Sequence, residues 1–236
     1  MTKPAIANGE PRIVESLRNG IMKEFAREME YGMVSYEALM TNRKRALFGN
    51  VAEGSTVVDI GIGTGPNMKY LPHDVNLIGV EPNKFMWPFA EERARSLGIR
   101  LSLKEGNGER LPLEDESCDF AITTLTLCSV KDPSLTVREI LRVLKPGGKH
   151  LFIEHVVANE NRPLLRGAQN LLTPLQVALA DGCHLNRDTL AYLNSAKDTG
   201  FSRVSYEEFD AKFDTLEDWI SPIRPHIAGF AVKSFE

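Results

Sequence analysis

Cysteine, tryptophan, surplus positive charge and long apolar runs are all scarce in this chain. Its three cysteines, Cys118, Cys128 and Cys183, are odd in number and widely spaced. That argues against a disulfide framework and suggests reduced thiols. No CxxC pair occurs, so no metal site is expected. The 28 basic residues face 32 acidic ones, a formal charge of −4, and no nucleic-acid surface is expected. No stretch reaches the roughly 18 uncharged apolar residues of a membrane span. The longest uncharged run, Gly167 to Ala180, is broken by Gln169, Asn170, Thr173 and Gln176. Met1 to Pro11 are polar and hold no signal-peptide core. The expectation is a cytoplasmic or soluble organellar protein in a reducing compartment, with neither transmembrane anchor nor signal peptide.

Apolar residues at 42% and charged residues at 25% suit one α/β domain with additions over 236 residues. Its organising stretch is Val57-Val58-Asp59-Ile60-Gly61-Ile62-Gly63-Thr64-Gly65. The apolar residues read as a strand buried on both faces, running into a glycine turn, with a helix expected from about Pro66. A dinucleotide fingerprint needs another glycine three positions after Gly63, where Pro66 stands. The spacing Asp-x-Gly-x-Gly-x-Gly instead resembles the first motif of the class I S-adenosylmethionine-dependent methyltransferases. That resemblance implies S-adenosylmethionine held at Asp59, Gly61, Gly63 and Gly65. It also implies a Rossmann-like, seven-stranded, mostly parallel sheet with a terminal antiparallel strand and helices on both faces.

The next strand, Leu77 to Glu81, ends in an acid 22 residues after Asp59, the interval at which a carboxylate meets a ribose. Glu81 and the following Pro82 are therefore candidate cofactor contacts. After a third strand, Gly106-Asn107-Gly108-Glu109-Arg110-Leu111-Pro112 resembles the turn that borders the adenine in small-molecule methyltransferases. Asn107 stands where that family has aspartate, and its carbonyl can accept the same hydrogen bond. Cys118 to Thr124 is the fourth strand, whose carboxyl end, at Thr124 and Leu125, should open onto the cofactor crevice. Asp132 and Pro133 start a helix, and Lys145 to Gly148 is a turn before a fifth strand, His150 to Glu154. Val204–Phe209 and Ile227–Val232 read as a terminal antiparallel pair, joined through Trp219.

Residues 1–50 read as an N-terminal helical lid, whose Tyr31 or Tyr36 is expected to cover the cofactor. Residues 51–236 form the methyltransferase domain, with a helical insertion at about 156–187. In that insertion Leu164, Ala168, Leu171, Leu175 and Leu179 recur at helical spacing, and Pro174 should kink or divide the helix. The stripe reads as core, as a lipophilic acceptor site, or as a face for weak membrane-surface association.

The second half shows a narrower resemblance. Thr124 to Val130, Ile153-Glu154-His155-Val156, Asp181-Gly182-Cys183-His184-Leu185 and Pro225-His226-Ile227-x-Gly229 occur in this order. They resemble the methyltransferase-like alkyl thiol S-methyltransferases, in the plant-type branch, over roughly residues 40 to 233. The resemblance implies methyl transfer to a small thiol. His155, at a strand end, is the expected base, with Asp181, His226 and His184 beside it. Methylation of a phenol, quinone or amine, and a non-catalytic cofactor-binding adaptor of membranes or lipid droplets, stay open as alternatives. Three thiols could also hold arsenic(III), but no spacing pairs them.

Overall fold

The computed structural model describes residues 12–196, 200–212 and 221–235, with side chains from residue 14 onward. Trp219 lies outside the described residues. Seven strands form one sheet in the order β3-β2-β1-β4-β5-β7-β6. They are β1 (Thr56–Ile60), β2 (Asn76–Val80), β3 (Arg100–Lys104), β4 (Cys118–Thr124), β5 (Leu144–His155), β6 (Phe201–Asp210) and β7 (Pro225–Lys233). The pairs from β3 through β5 are parallel, while β7 runs antiparallel to both of its neighbours, β5 and β6. The last strand of the chain is thus inserted as the one reversed strand, and the Rossmann-like architecture expected from the glycine motif is the observed one.

Alternation along β1 explains why it lies at the centre. Val57 packs into the core on one face and Val58 and Ile60 into the core on the other, as a period of two requires. Helices α2 (Val34–Phe48) and α3 (Trp87–Leu97) cover the first face with Met40, Phe48, Ala90 and Ala94. Helices α4 (Pro133–Val143) and α6 (Thr189–Ser195) cover the second with Val137, Ile140 and Leu193. Each fully buried aliphatic side chain contributes about 1.5–3 kcal/mol. Asp132 caps α4 by accepting the Leu135 N–H at 3.0 Å, with Pro133 at its first position.

Two expectations are corrected. Beyond Pro66 there is no α-helix, only a 3-10 turn at Met68–Tyr70. Leu71 is extended ahead of Pro72, which disfavours helical backbone there, and α2 packs on this part of the sheet instead. Lys145 to Gly148 is not a turn before β5 but a bulge within it, with Gly147 at φ 74°. Helix α5 (Pro163–Leu179) passes through Pro174 without dividing. Its stripe is not core: Leu164, Leu171, Leu175 and Leu179 are 58–91% exposed, and Gln169 is the residue it buries.

Candidate active site

The site lies at the carboxyl ends of β1, β2 and β4, where an open α/β sheet leaves a crevice. A cavity of about 420 Å³ is lined by Gly61, Gly63, Glu81, Pro82, Asn107, Gly108, Glu109, Thr124 and Leu125. Sequence reasoning had placed all nine there. Asp59 and Gly65 are not in this lining. Asp59 is buried and accepts from Asn67 Nδ2 at 3.0 Å, while its Oδ1 and Asn67 Oδ1 have no partner among the described residues. Gly65 lies at φ 79°, with Met68 packed where a Cβ would stand.

Glu81 is held from two sides. Oε2 accepts the Gly63 N–H at 3.0 Å and Oε1 accepts the Asn83 N–H at 2.8 Å. Burial pushes its pKa up to about 7 despite both hydrogen bonds, and Asp181 adds to the rise. Burial likewise takes Asp59 up to about 7. Gly63 sits at φ 56°, a conformation that L-residues rarely adopt, so the turn brings bare backbone to the cavity. Glu109 faces the opposite wall, where its Oε1 accepts the Asp132 N–H at 3.1 Å.

A second cavity of about 470 Å³ shares Met29, Gly61, Gly63, Thr124 and Leu125 with the first. Its outer wall comes from the end of α1 (Arg12–Tyr31) through Glu30, from the following turn through Met33, and from α2 through Tyr36 and Glu37. The Tyr36 hydroxyl is buried with no partner among the described residues, and burial drives its pKa well above the usual range, so it remains a donor. Tyr31 points away, 66% exposed and edge-on to Phe89 at 6.2 Å. Phe25 and Met29 of α1 line the first cavity instead.

Two non-glycine residues with left-handed backbone meet at this first cavity: Leu125 at φ 54° and Asp181 at φ 47°. Such strain persists only where the surroundings enforce it. Leu125 is tied to β5 by its N–H to the Ile153 carbonyl at 2.9 Å. The two loops are joined by the His184 N–H to the Cys128 carbonyl and by Arg187 to the Leu127 carbonyl, both at 2.9 Å. Asp181 is thereby brought to the cavity; the residue is exposed as a whole, and partial desolvation against the cavity wall raises its carboxyl pKa.

His155 and His226 are not among the lining residues of either cavity. His226 is 1% exposed, its ring 6.2 Å from that of His155 and 5.7 Å from that of Tyr36. Burial lowers its pKa to about 4, which leaves it neutral, with Nδ1 donating to the Arg224 carbonyl at 3.0 Å. His155 Nε2 lies 3.1 Å from Cys183 Sγ. A hydrogen bond from Cys128, then one from His155, pulls the Cys183 thiol well below the usual thiol range, while the bond to Cys183 and burial push Cys128 up. His184 is half-buried, with Nδ1 2.7 Å from the Gly182 carbonyl. Glu154, Asn67 and Thr126 were missed by sequence reasoning. Glu154 could have been read from its place at a strand end; burial raises its pKa to about 7 while it accepts the Thr126 and Leu127 N–H groups.

The family description "Methyltransferase domain" matches residues 58–152, the stretch that builds this crevice. A S-adenosylmethionine-dependent methyltransferase from Thermotoga maritima superposes with a TM-score of 0.65 at 23% identity, over 91% of this chain and 99% of that one. A geranyl diphosphate methyltransferase in complex with GPP and sinefungin gives 0.61 at 18% identity, over 83% and 77%. Fold, crevice and family match together define a class I S-adenosylmethionine-dependent methyltransferase. The chain is also 33% identical over 210 residues to the human thiol S-methyltransferase TMT1A, spanning 85% of this chain and 82% of that protein. It belongs to that protein's family.

The residues present fit the cofactor. Glu81 puts a buried carboxylate on the lining, Gly63 leaves the space a side chain would fill, and behind the turn Asp59 holds an oxygen with no partner among the described residues. Among the described residues no helix is long and apolar enough to cross a membrane.

Proposed function

We propose that this enzyme methylates small, lipophilic thiols. The observation that carries the reading is the shared wall of the two cavities at Gly61, Gly63, Thr124 and Leu125. One cavity suits the cofactor and the other an acceptor, so the two ligands would meet across that wall. The relationship to TMT1A supports a thiol as that acceptor.

When bound, S-adenosylmethionine supplies an electrophilic methyl group on a sulfonium sulfur. Glu81 would accept from the ribose hydroxyls, Asn107 from the adenine amino group, and the backbone of Gly61 to Gly65 would lie against the amino-acid part, with Asp59 behind it. Pro82, Gly108, Glu109, Thr124 and Leu125 complete this wall. α1 and α2 act as the lid, with Phe25, Met29 and Tyr36 excluding water. In-line displacement depends mainly on alignment and desolvation, and both follow from closing this wall.

A thiol with a pKa near ~8.5 is only slightly ionised at neutral pH, so a base helps modestly. Asp181 takes that role from the cofactor cavity, whose wall it lines, acting on a thiol that reaches across the shared wall, and its raised pKa brings it closer to that of a thiol. The Tyr36 hydroxyl donates to the thiolate. His155 and His226 act as positioning residues behind the wall. The exposed leucines of α5 suit weak adsorption to a membrane surface, where lipophilic thiols concentrate.

An acceptor screen with methyl-labelled cofactor, across alkyl and aryl thiols, phenols, quinones and amines, tests the reading. Label should accumulate on thiols first. Preferential labelling of phenols, quinones or amines would replace it.

A further inference from the structure

Behind the wall lies a cluster of two thiols and an imidazole, of which the methyl-transfer reading uses only His155. Cys128 follows β4, His155 ends β5, and Cys183 follows α5; they are 27 and 28 positions apart in sequence. The thiol sulfurs and a ring nitrogen all lie within 4.8 Å of one another. His155 Nε2 faces Cys183 Sγ at 3.1 Å, and Nδ1 of the same ring has no partner among the described residues. Cys128, His155 and Cys183 are 1%, 3% and 9% exposed.

We infer that Cys128, His155 and Cys183 form a binding site for a thiophilic divalent metal ion of the zinc class. A tetrahedral ion at about 2.3 Å from sulfur and about 2.0–2.1 Å from nitrogen requires ligand atoms roughly 3.5–3.8 Å apart. The cluster therefore closes on an ion by shifts of about 1 Å or less. Two thiolates neutralise the ion's charge, and their soft sulfurs with one imidazole favour zinc over calcium or magnesium. Three protein ligands leave a fourth position for water or another small ligand.

Such an ion would have a definite mechanical consequence. Cys128 stands between the lining residues Leu125 and Ser129, and Cys183 follows Asp181 and Gly182. One ion would pin both loops to the end of β5 and so stiffen the wall of the cofactor cavity. Binding displaces any proton left on the thiols, so affinity rises with pH.

The test uses the full-length chain, reduced and freed of metal by chelation, and titrated with Co²⁺. The expected result is one equivalent bound, with thiolate-to-cobalt charge transfer and strong tetrahedral visible bands, all displaced by Zn²⁺. Cys128→Ser and Cys183→Ser should each weaken binding by about 100-fold or more, while Cys118→Ser leaves it unchanged. Circular dichroism and calorimetry with S-adenosylhomocysteine establish that each variant is folded. Should either cysteine variant fail to fold, the wild-type and Cys118→Ser spectra decide. A weak octahedral spectrum, or no binding by these two proteins, would overturn the site. Thiolate bands that persist in folded Cys128→Ser and Cys183→Ser would also overturn it.

Discussion

The carboxylate of Glu81 accepts the backbone N–H of Gly63 at 3.0 Å, bonding the end of β2 directly to the turn that follows β1. The two signals read separately from the sequence, a glycine turn and an acid 22 residues on, are one hydrogen-bonded unit. Gly63→Arg tests it from the turn side. A side chain at φ 56° costs about 1–2 kcal/mol, and the guanidinium would occupy the cavity. S-adenosylhomocysteine binding should be lost in calorimetry while the circular dichroism spectrum is kept. Unchanged affinity would separate the glycine turn from the cofactor.

From the acid side, pH is the probe. The Glu81 pKa rises from 4.5 to about 7 on folding, and that of Asp59 from 3.8 to about 7. A raised folded pKa means the protonated form is favoured by the ligand-free fold. That stability is fully present below the unfolded pKa and is lost as pH rises through about 7. The ligand-free melting temperature should therefore fall between about pH 5 and pH 8. Binding that needs ionised Glu81 has the opposite sign. Affinity should drop up to about tenfold per pH unit below 7, with proton release on binding. Glu81→Gln should bind weakly and lose most of this dependence; a wild-type affinity flat from about pH 5 to pH 8 would contradict it.

The outward stripe of α5 and its one buried polar residue make contrasting predictions. Gln169 accepts the Ala158 N–H at 2.7 Å and donates to the carbonyls of Val156 at 3.1 Å and Pro222 at 2.8 Å. Gln169→Leu strands those groups at about 1–3 kcal/mol each, so the melting temperature should fall by roughly 5 °C or more. Serine at both Leu171 and Leu175, which are 80% and 58% exposed, should change it by less than about 2 °C. A large loss from the serine pair would place the stripe in the core after all.

Asp181 and Tyr36 separate by acceptor acidity. Asp181→Asn should reduce kcat/KM by about 100-fold for alkyl thiols and much less for aryl thiols that are already ionised. Tyr36→Phe removes a donor to the thiolate and should cost about 10- to 100-fold for both. Equal losses across all thiols in Asp181→Asn would remove it as a base.

What the sequence disclosed was set by range. Val57, Val58, the glycines and Glu81 belong to two parallel neighbouring strands and the short connection between them, so spacing alone carried their meaning. The helix expected after Pro66 failed because Pro72 and the docking of α2, a distant segment, decide that region. The α5 leucines have correct helical periodicity, but periodicity does not say which side is covered, and the lid reading of Tyr31 likewise could not say which way its ring points. Cys128, His155 and Cys183 escaped a search for close pairs because three separate loops and strands bring them together. Asp181 stood out in the sequence only within a resemblance, and its strained backbone is what marks it in the structure.

Which atom accepts the methyl group is measured by one competition. Thiophenol and phenol are offered together at equal concentration with labelled S-adenosylmethionine, across pH 6 to 9, and the products are separated by mass spectrometry. Thiol methylation predicts methyl phenyl sulfide as the dominant product throughout, with its yield following the ionised thiol. Methyl phenyl ether as the main product would contradict it.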